Sequence, residues 1–380
     1  MLELFAALAL GILAGIVAGI IPGVHPNMIV LFVPAIAALA EPMTASVFLA
    51  ALGVANSVAN FLPSIFMGAP DDNALAALPG HRMLLKGQGY DAIKLAVSGC
   101  VAAAALLVLL IPVLYYTIPA VIAIVAPYTH MLVAAIAVYM LIGERLPGFI
   151  VFALAATIGI LSLRLPVDGT LILFPMMSGF FGIPSLLAQN APDSREHSDA
   201  AISSRSVSRG IVSGVAGGIT SGFLPGVGTS QIASLFSLSK DDHAFLAASG
   251  AISTTNIITS VVALSMIGKA RSGVAVAIGQ LGTITNETLL AVVFASLAAT
   301  ASASLIALWM AKRVPFSALP KAAPFIIFFI ALLTFLFCSV YGLLTLAAAA
   351  ATGVYAIKAG AKRGLMMSSL MIPVILFYAA

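Results

Sequence analysis

Charge is what this sequence has least of. Only 8% of its 380 residues are charged, against about 25% in soluble domains, so the chain cannot cover itself with a water-compatible surface. Cysteine is almost absent. Cys100 and Cys338 both fall inside apolar runs, which excludes a disulfide framework or a thiolate metal centre and leaves them as packing residues. No Walker sequence, zinc-ligand spacing or hydrolase elbow occurs, so ATP-driven transport within the chain and membrane hydrolysis both lack support, and no catalytic residue or metal ligand is assigned. Basic patches interleaved with aromatics are missing too, which removes nucleic acid as a partner. The opening MLELF places Glu3 where a signal peptide carries positive charge, so a cleaved leader is not expected.

What the chain has instead is apolar length. It is 62% hydrophobic, and several runs reach the roughly 20 residues that a spanning helix needs. These features predict an all-α polytopic protein of the cell membrane with about 10–12 membrane segments and the lipid bilayer as its first partner. The formal net charge of +4 sits in a few loops and therefore speaks to orientation. Loops 81–94, 195–209, 312–321 and 358–363 carry the Lys and Arg excess expected on the cytoplasmic side. Between the first two loops lie four apolar segments, near 92–116, 118–142, 147–165 and 169–189.

Two Pro-Gly stretches interrupt this pattern. GIIPGVHPNM at Gly19–Met28 ends the first apolar run, and GFLPGVGTS at Gly222–Ser230 repeats it. Gly19, Pro22, Gly23 and Val24 match Gly222, Pro225, Gly226 and Val227, while His25, Pro26 and Asn27 in the first copy face Gly228, Thr229 and Ser230 in the second. The short run after the first break, 28–40, reads as a half-helix or re-entrant segment. Further on, GVANSVAN at 53–60 is set against GAISTTNI at 250–257, and MGAPDDNALA from Met67 parallels IGKARSGVAV from Ile267 after a three-residue insertion. The chain thus divides into a first repeat core (1–95), additional helices (96–208), a second repeat core (209–312) and C-terminal helices (313–380). Loop parity makes the two repeats inverted, the arrangement in which secondary transporters hold a site near the midplane.

A Pro-Gly break at membrane depth frees backbone groups that lipid cannot satisfy, so it belongs where it lines a cavity. The amides that open the following half-helix attract an anion. Pro22, Gly23, His25, Asn27, Pro225, Gly226, Thr229 and Ser230 are therefore candidates for binding a small organic anion, with Asn56, Asn60, Thr254, Thr255 and Asn256 as polar groups lining the same cavity. The bland alternative for these last five is interhelical hydrogen bonding, worth about 0.6 kcal/mol each. Freed carbonyls suit Na⁺. Asp71 and Asp72 are candidate coupling-ion sites, set against a plain reading as solvated loop acids.

GIVAGIIPGVHPNM, MGAPDDNALAALPGHRMLLKGQGYDAIKLA and GGITSGFLPGVGTSQIAS resemble segments of the large membrane subunit of the tripartite tricarboxylate transporters, the TctA family. The likeness extends to about Leu281, in a chain shorter than typical members. It implies a secondary transporter for di- or tricarboxylates, coupled to Na⁺ or H⁺ and without an enzymatic step. It also implies service by a small membrane subunit and an extracytoplasmic binding protein, neither encoded in this chain. The sequence leaves the oligomer open, a homodimer being one option. A looser likeness links the repeated Pro-Gly-Val segment to polyprenyl-phosphate translocases, and a non-transporting scaffold is a third reading.

Overall fold

The fold follows from glycine spacing. In the computed structural model, which describes residues 2–21, 29–66, 77–188, 199–223, 241–268, 272–282, 284–313 and 321–379, helix α1 (Leu2–Ile20) buries Gly11, Gly15 and Gly19 and leaves Phe5, Leu13 and Val17 exposed. Four-residue spacing puts the three glycines on one face, and without side chains they admit another backbone. That backbone is α3 (Pro42–Ala59): a Cβ placed on Gly15 would lie 2.3 Å from the Leu52 carbonyl oxygen. Contacts climb together, Gly11 against Phe48 and Ala51, Gly15 against Leu52 and Ala55, Gly19 against Asn56 and Ala59. Helices α1 and α3 therefore run parallel, and the chain between them must return through the thickness it has just crossed.

The second half repeats this device. Helix α11 (Ser204–Phe223) lays Gly214, Gly218 and Gly222 on α12 (Asp242–Ile267), again in ascending order: Gly214 on Ala248 and Ala251, Gly218 on Ile252 and Thr255, Gly222 on Thr259. Asp241 caps α12 by accepting from the His243 and Ala244 amides, both at 3.1 Å. Short helices α4 (Phe61–Phe66) and α5 (Ala77–Leu85) follow α3, and α13 (Gly273–Gln280) follows α12. Long helices complete each half, α6 (Gly89–Val125) packing on α12 and α14 (Asn286–Arg313) packing on α3.

Helices α3 and α12 run in opposite directions. Gly53 in the middle of α3 meets Val274, which lies beyond the end of α12, whereas Ile65 and Leu246, near the start of α12, share contact with Gly80. Residues of three of the four expected basic loops, 81–94, 195–209 and 312–321, meet at this latter end, while Lys362 and Arg363 of the fourth pair within a second group of helices. Arg82 pairs with Asp242, the Ala200 amide donates to Asp91 at 2.7 Å, and the Lys312 ammonium sits 4.5 Å from the centre of the Tyr90 ring.

A second group of helices comprises α7 (Thr129–Leu141), α8 (Leu146–Ser162), α9 (Gly169–Met177), α10 (Ile183–Leu187), α15 (Ala323–Lys358) and α16 (Ser368–Ala379). A π-turn at Ser178–Gly182 joins α9 to α10, and the Arg363 guanidinium donates to the Phe181 carbonyl there at 2.8 Å and to the Ser185 hydroxyl at 2.7 Å. Glu144, largely buried, pairs with Lys362 at 2.7 Å. Helix α15 is two helices in practice: Ser339 has φ 56° and ψ −156°, and Gly342 lies against Thr334, eight residues earlier, so the chain folds back. The sequence itself places two apolar helices here, about 322–337 and 340–357, with their boundary at this position. Between the groups, α2 (Ile29–Leu39) packs against α9, and buried Ile252 of α12 joins the apolar cluster around Val133, Phe180 and Ala349. Elsewhere they touch at points such as Phe32 and Phe337, whose rings meet edge to face at 5.9 Å.

Seven helical stretches among the described residues are long and apolar enough to cross a membrane, beside the shorter apolar Leu146–Ser162 and Arg363–Ala379. One expected boundary is absent. The turn near 117 does not form, and α6 continues through Pro112 and Pro119 for 37 residues, about 55 Å. No glycine or polar cluster marks a turn there, and the Thr117 hydroxyl donates to the Val113 carbonyl at 2.9 Å within the continuing helix. Cys100 and Cys338 are both free and buried.

Candidate functional site

The two helices that lead into the Pro-Gly stretches stop short. Gly19, next to the last residue of α1, sits level with Ala59, while the neighbouring chain continues helically as far as Phe66. Gly222 sits level with Thr259, while α12 continues to Ile267. At 1.5 Å per residue, each helix ends about 9–11 Å before its neighbour does. Both Pro-Gly stretches therefore begin alongside a continuing apolar helix. Pro22, Gly23, His25, Asn27, Pro225, Gly226, Thr229 and Ser230, together with Asp71 and Asp72, lie outside the described residues.

Glycine contacts give the register between the halves. Phe48 and Ala51 correspond to Ala248 and Ala251, Leu52 and Ala55 to Ile252 and Thr255, and Ala59 to Thr259. The offset is 200, not the 197 taken from setting Gly53 against Gly250. With 200 the three-residue insertion before Met67 and Ile267 disappears, and Asn56 becomes the counterpart of Asn256 and Asn60 of Ser260. The sequence comparison slipped by almost one turn because both helices are rich in small residues, which match each other at either offset.

Asn56 is 1% exposed and its side-chain oxygen has no hydrogen-bond partner among the described residues. Its backbone lies against Gly19, at the end of α1. Asn60 is half-buried one turn on, where its amide donates to the Asn56 carbonyl at 2.9 Å. Pro63 has no N–H for the Ala59 carbonyl, so the helical ladder is interrupted at this level. In the second half Asn256 is half-buried and accepts from the Ser221 hydroxyl at 3.1 Å. Thr255 packs against Gly218. Thr254 instead faces α6, beside the Cys100 thiol, and stands apart from the broken helix.

Sequence reasoning passed over Ser221, Thr259 and Ser260. Ser221 is buried one turn from Gly218, whose carbonyl it reaches at 3.0 Å. Thr259 and Ser260 are fully buried, and their hydroxyls have no partner among the described residues. The four-residue spacing of Thr255 and Thr259 was the available signal, and the slipped register hid it. Helices α11 and α12 are also tied at their other end. Burial pushes the Asp241 carboxyl up, but the Ser206 hydroxyl and the Ala244 and His243 amides outweigh it and hold it below the usual carboxylate range.

Among the described residues, those of the candidate site carry no charge. Two amides stand in equivalent places, each beside a helix that stops short of its neighbour, and no group of three or more His, Cys, Asp or Glu residues among the described residues is placed to hold a metal ion. Such amides can donate to an anion through nitrogen or offer oxygen to a cation. No solved structure matches the chain. An uncharacterized protein of Methanocaldococcus jannaschii is 28% identical over 357 residues, covering 87% of this chain and 88% of that protein. The profile of the tripartite tricarboxylate transporter TctA family matches residues 5–368, and the chain belongs to that family of multi-pass membrane transport proteins.

Proposed function

We propose that this chain carries a small organic anion of the di- or tricarboxylate class across the membrane as a cation-coupled secondary transporter built from two inverted halves. The observation that carries this reading is the pairing of Asn56 with Asn256, each set beside a helix that stops short of its neighbour. Opposed running of α3 and α12 supports the inversion, because two parallel repeats would place equivalent helices in the same direction. Amide donors beside exposed backbone bind carboxylate without the cost of burying a countercharge. A small membrane subunit and an extracytoplasmic binding protein would deliver the substrate, as the family's tripartite description suggests.

Uptake of labelled di- and tricarboxylates into proteoliposomes, with and without an inward Na⁺ gradient, tests the proposal. Wild-type protein should accumulate a carboxylate when the gradient is applied, and Asn56→Ala or Asn256→Ala should cut initial uptake by about tenfold, as loss of one or two hydrogen bonds to a charged group implies. Absence of uptake for every carboxylate, together with binding of an isoprenyl phosphate, would assign the chain to lipid-carrier translocation instead.

A further inference from the structure

The halves match at their asparagines and part company around them. At three positions where α1 and α3 carry Ala18, Ala55 and Ala59, α11 and α12 carry Ser221, Thr255 and Thr259. The register comes from the glycine contacts, so the comparison is between residues that occupy equivalent places. Each difference adds a hydroxyl, with a methyl as well at the two threonines, and all three positions fall in the last turns before α11 ends; the threonine methyls are what pack on Gly218 and Gly222. An apolar helix interface needs none of them, since alanine fills the same places in the other half.

Counting protons shows what this cluster lacks. The Ser221 hydroxyl has one proton and two acceptors within reach, the Gly218 carbonyl at 3.0 Å and the Asn256 side-chain oxygen at 3.1 Å. With the Asn256 amide turned to present its nitrogen, both contacts are satisfied, so the shortfall lies in the hydroxyls beyond them. Thr255, Thr259 and Ser260 add three hydroxyl oxygens, all buried and all without a partner among the described residues. Buried polar atoms are ordinarily satisfied, and a cluster of unsatisfied ones asks for a ligand. The cluster is rich in oxygen, has no carboxylate, and lies at the C-terminal end of α11, where the helix dipole is negative.

We infer that Ser221, Thr255, Asn256, Thr259 and Ser260 form a site for a dehydrated alkali cation, Na⁺ foremost, and that this is the coupling ion. Neutral oxygens together with the end of a broken helix suit a monovalent ion, whereas a divalent one would require carboxylates to offset its dehydration. The Ser221 hydroxyl can turn its proton to the Gly218 carbonyl at 3.0 Å, leaving lone pairs for the ion, and the other three hydroxyls hold no acceptor among the described residues. The cation in turn draws an anion to the adjacent Asn256 amide, which is how the two cargoes are linked. The coupling role rests on the reading of the chain as a cation-coupled carrier; the site itself does not.

Purified protein in detergent provides the test, with Na⁺ as the sole probe. Raising NaCl against choline chloride at constant ionic strength should raise the thermal midpoint of the wild type, and ²²Na⁺ should bind saturably. The Thr255→Val, Thr259→Val double variant keeps shape and removes two ligands, so the half-saturating Na⁺ concentration should rise at least tenfold. Thr259→Ser restores the oxygen and should bind as the wild type does, which separates lost ligation from lost folding. Wild type without Na⁺-specific binding, or a double variant that binds as tightly as wild type, overturns the site. If uptake is Na⁺-driven while the variants bind Na⁺ normally, the transport reading survives and this site falls. If the variants lose Na⁺ binding while carboxylate uptake ignores Na⁺, the site stands and the coupled-transport reading falls.

Discussion

Ser339 occupies a backbone region that essentially only glycine visits, with φ 56° and ψ −156° in the middle of an otherwise helical stretch. Such a conformation costs about 1–3 kcal/mol and persists only because the helices on either side pack against each other. Gly342 makes that packing feasible, since a Cβ there would lie 2.3 Å from the Cys338 Cβ. Ser339→Gly should therefore stabilise the protein by about 1 kcal/mol, read as a higher thermal midpoint in detergent. An unchanged or lower midpoint would mean that the serine is not strained. The sequence marked this place as a boundary between two apolar helices but gave no sign of the strain, because serine is unremarkable in a turn until its dihedral angles are known. Asn56 and Asn256 illustrate the opposite case: their residue type pointed to a polar role at once, while their equivalence needed the contacts of Gly19 and Gly222.

At the scale of helices, α12 depends on its first turn. Asp241 accepts from two amides and is held below its usual pKa of 3.8 by those bonds and by the Ser206 hydroxyl. A carboxyl with a depressed folded pKa stabilises fully above its unfolded value, and the contribution disappears as the pH falls through the folded value. Asp241→Ala should cost about 1 kcal/mol at pH 7, and its deficit against wild type should shrink as the pH drops from about 4 toward 3. Equal deficits at pH 7 and pH 3, measured as the difference in thermal midpoint, would count against the charged cap. Helices with glycine at every fourth position were legible from spacing alone, as was their parting at Pro-Gly. The length of α6 was not, because the boundary expected between 92–116 and 118–142 is absorbed within a continuous helix that contains Pro112 and Pro119.

At the scale of the whole molecule, the described helices form two groups that meet at α2 and α9 and at Ile252 of α12. Composition announced the membrane, and loop charge brought 81–94, 195–209 and 312–313 to a shared end, as Arg82, Asp91 and Lys312 confirm. Grouping the helices was beyond reach, since apolar faces turned to lipid and to protein look alike in sequence: Phe325 and Phe328 are exposed, Phe174 and Phe180 buried. The parallel course of α1 and α3 has one more consequence. Glu3 and Glu41 must emerge on the same face of the bilayer, opposite Lys86 and Lys94. Cysteines placed at 3 and 41 should react with a membrane-impermeant maleimide from one side, and cysteines at 86 and 94 only from the other. Buried Cys100 and Cys338 leave the background dark, so a single labelling series on sealed vesicles reads directly which ends of the helices share a side of the membrane.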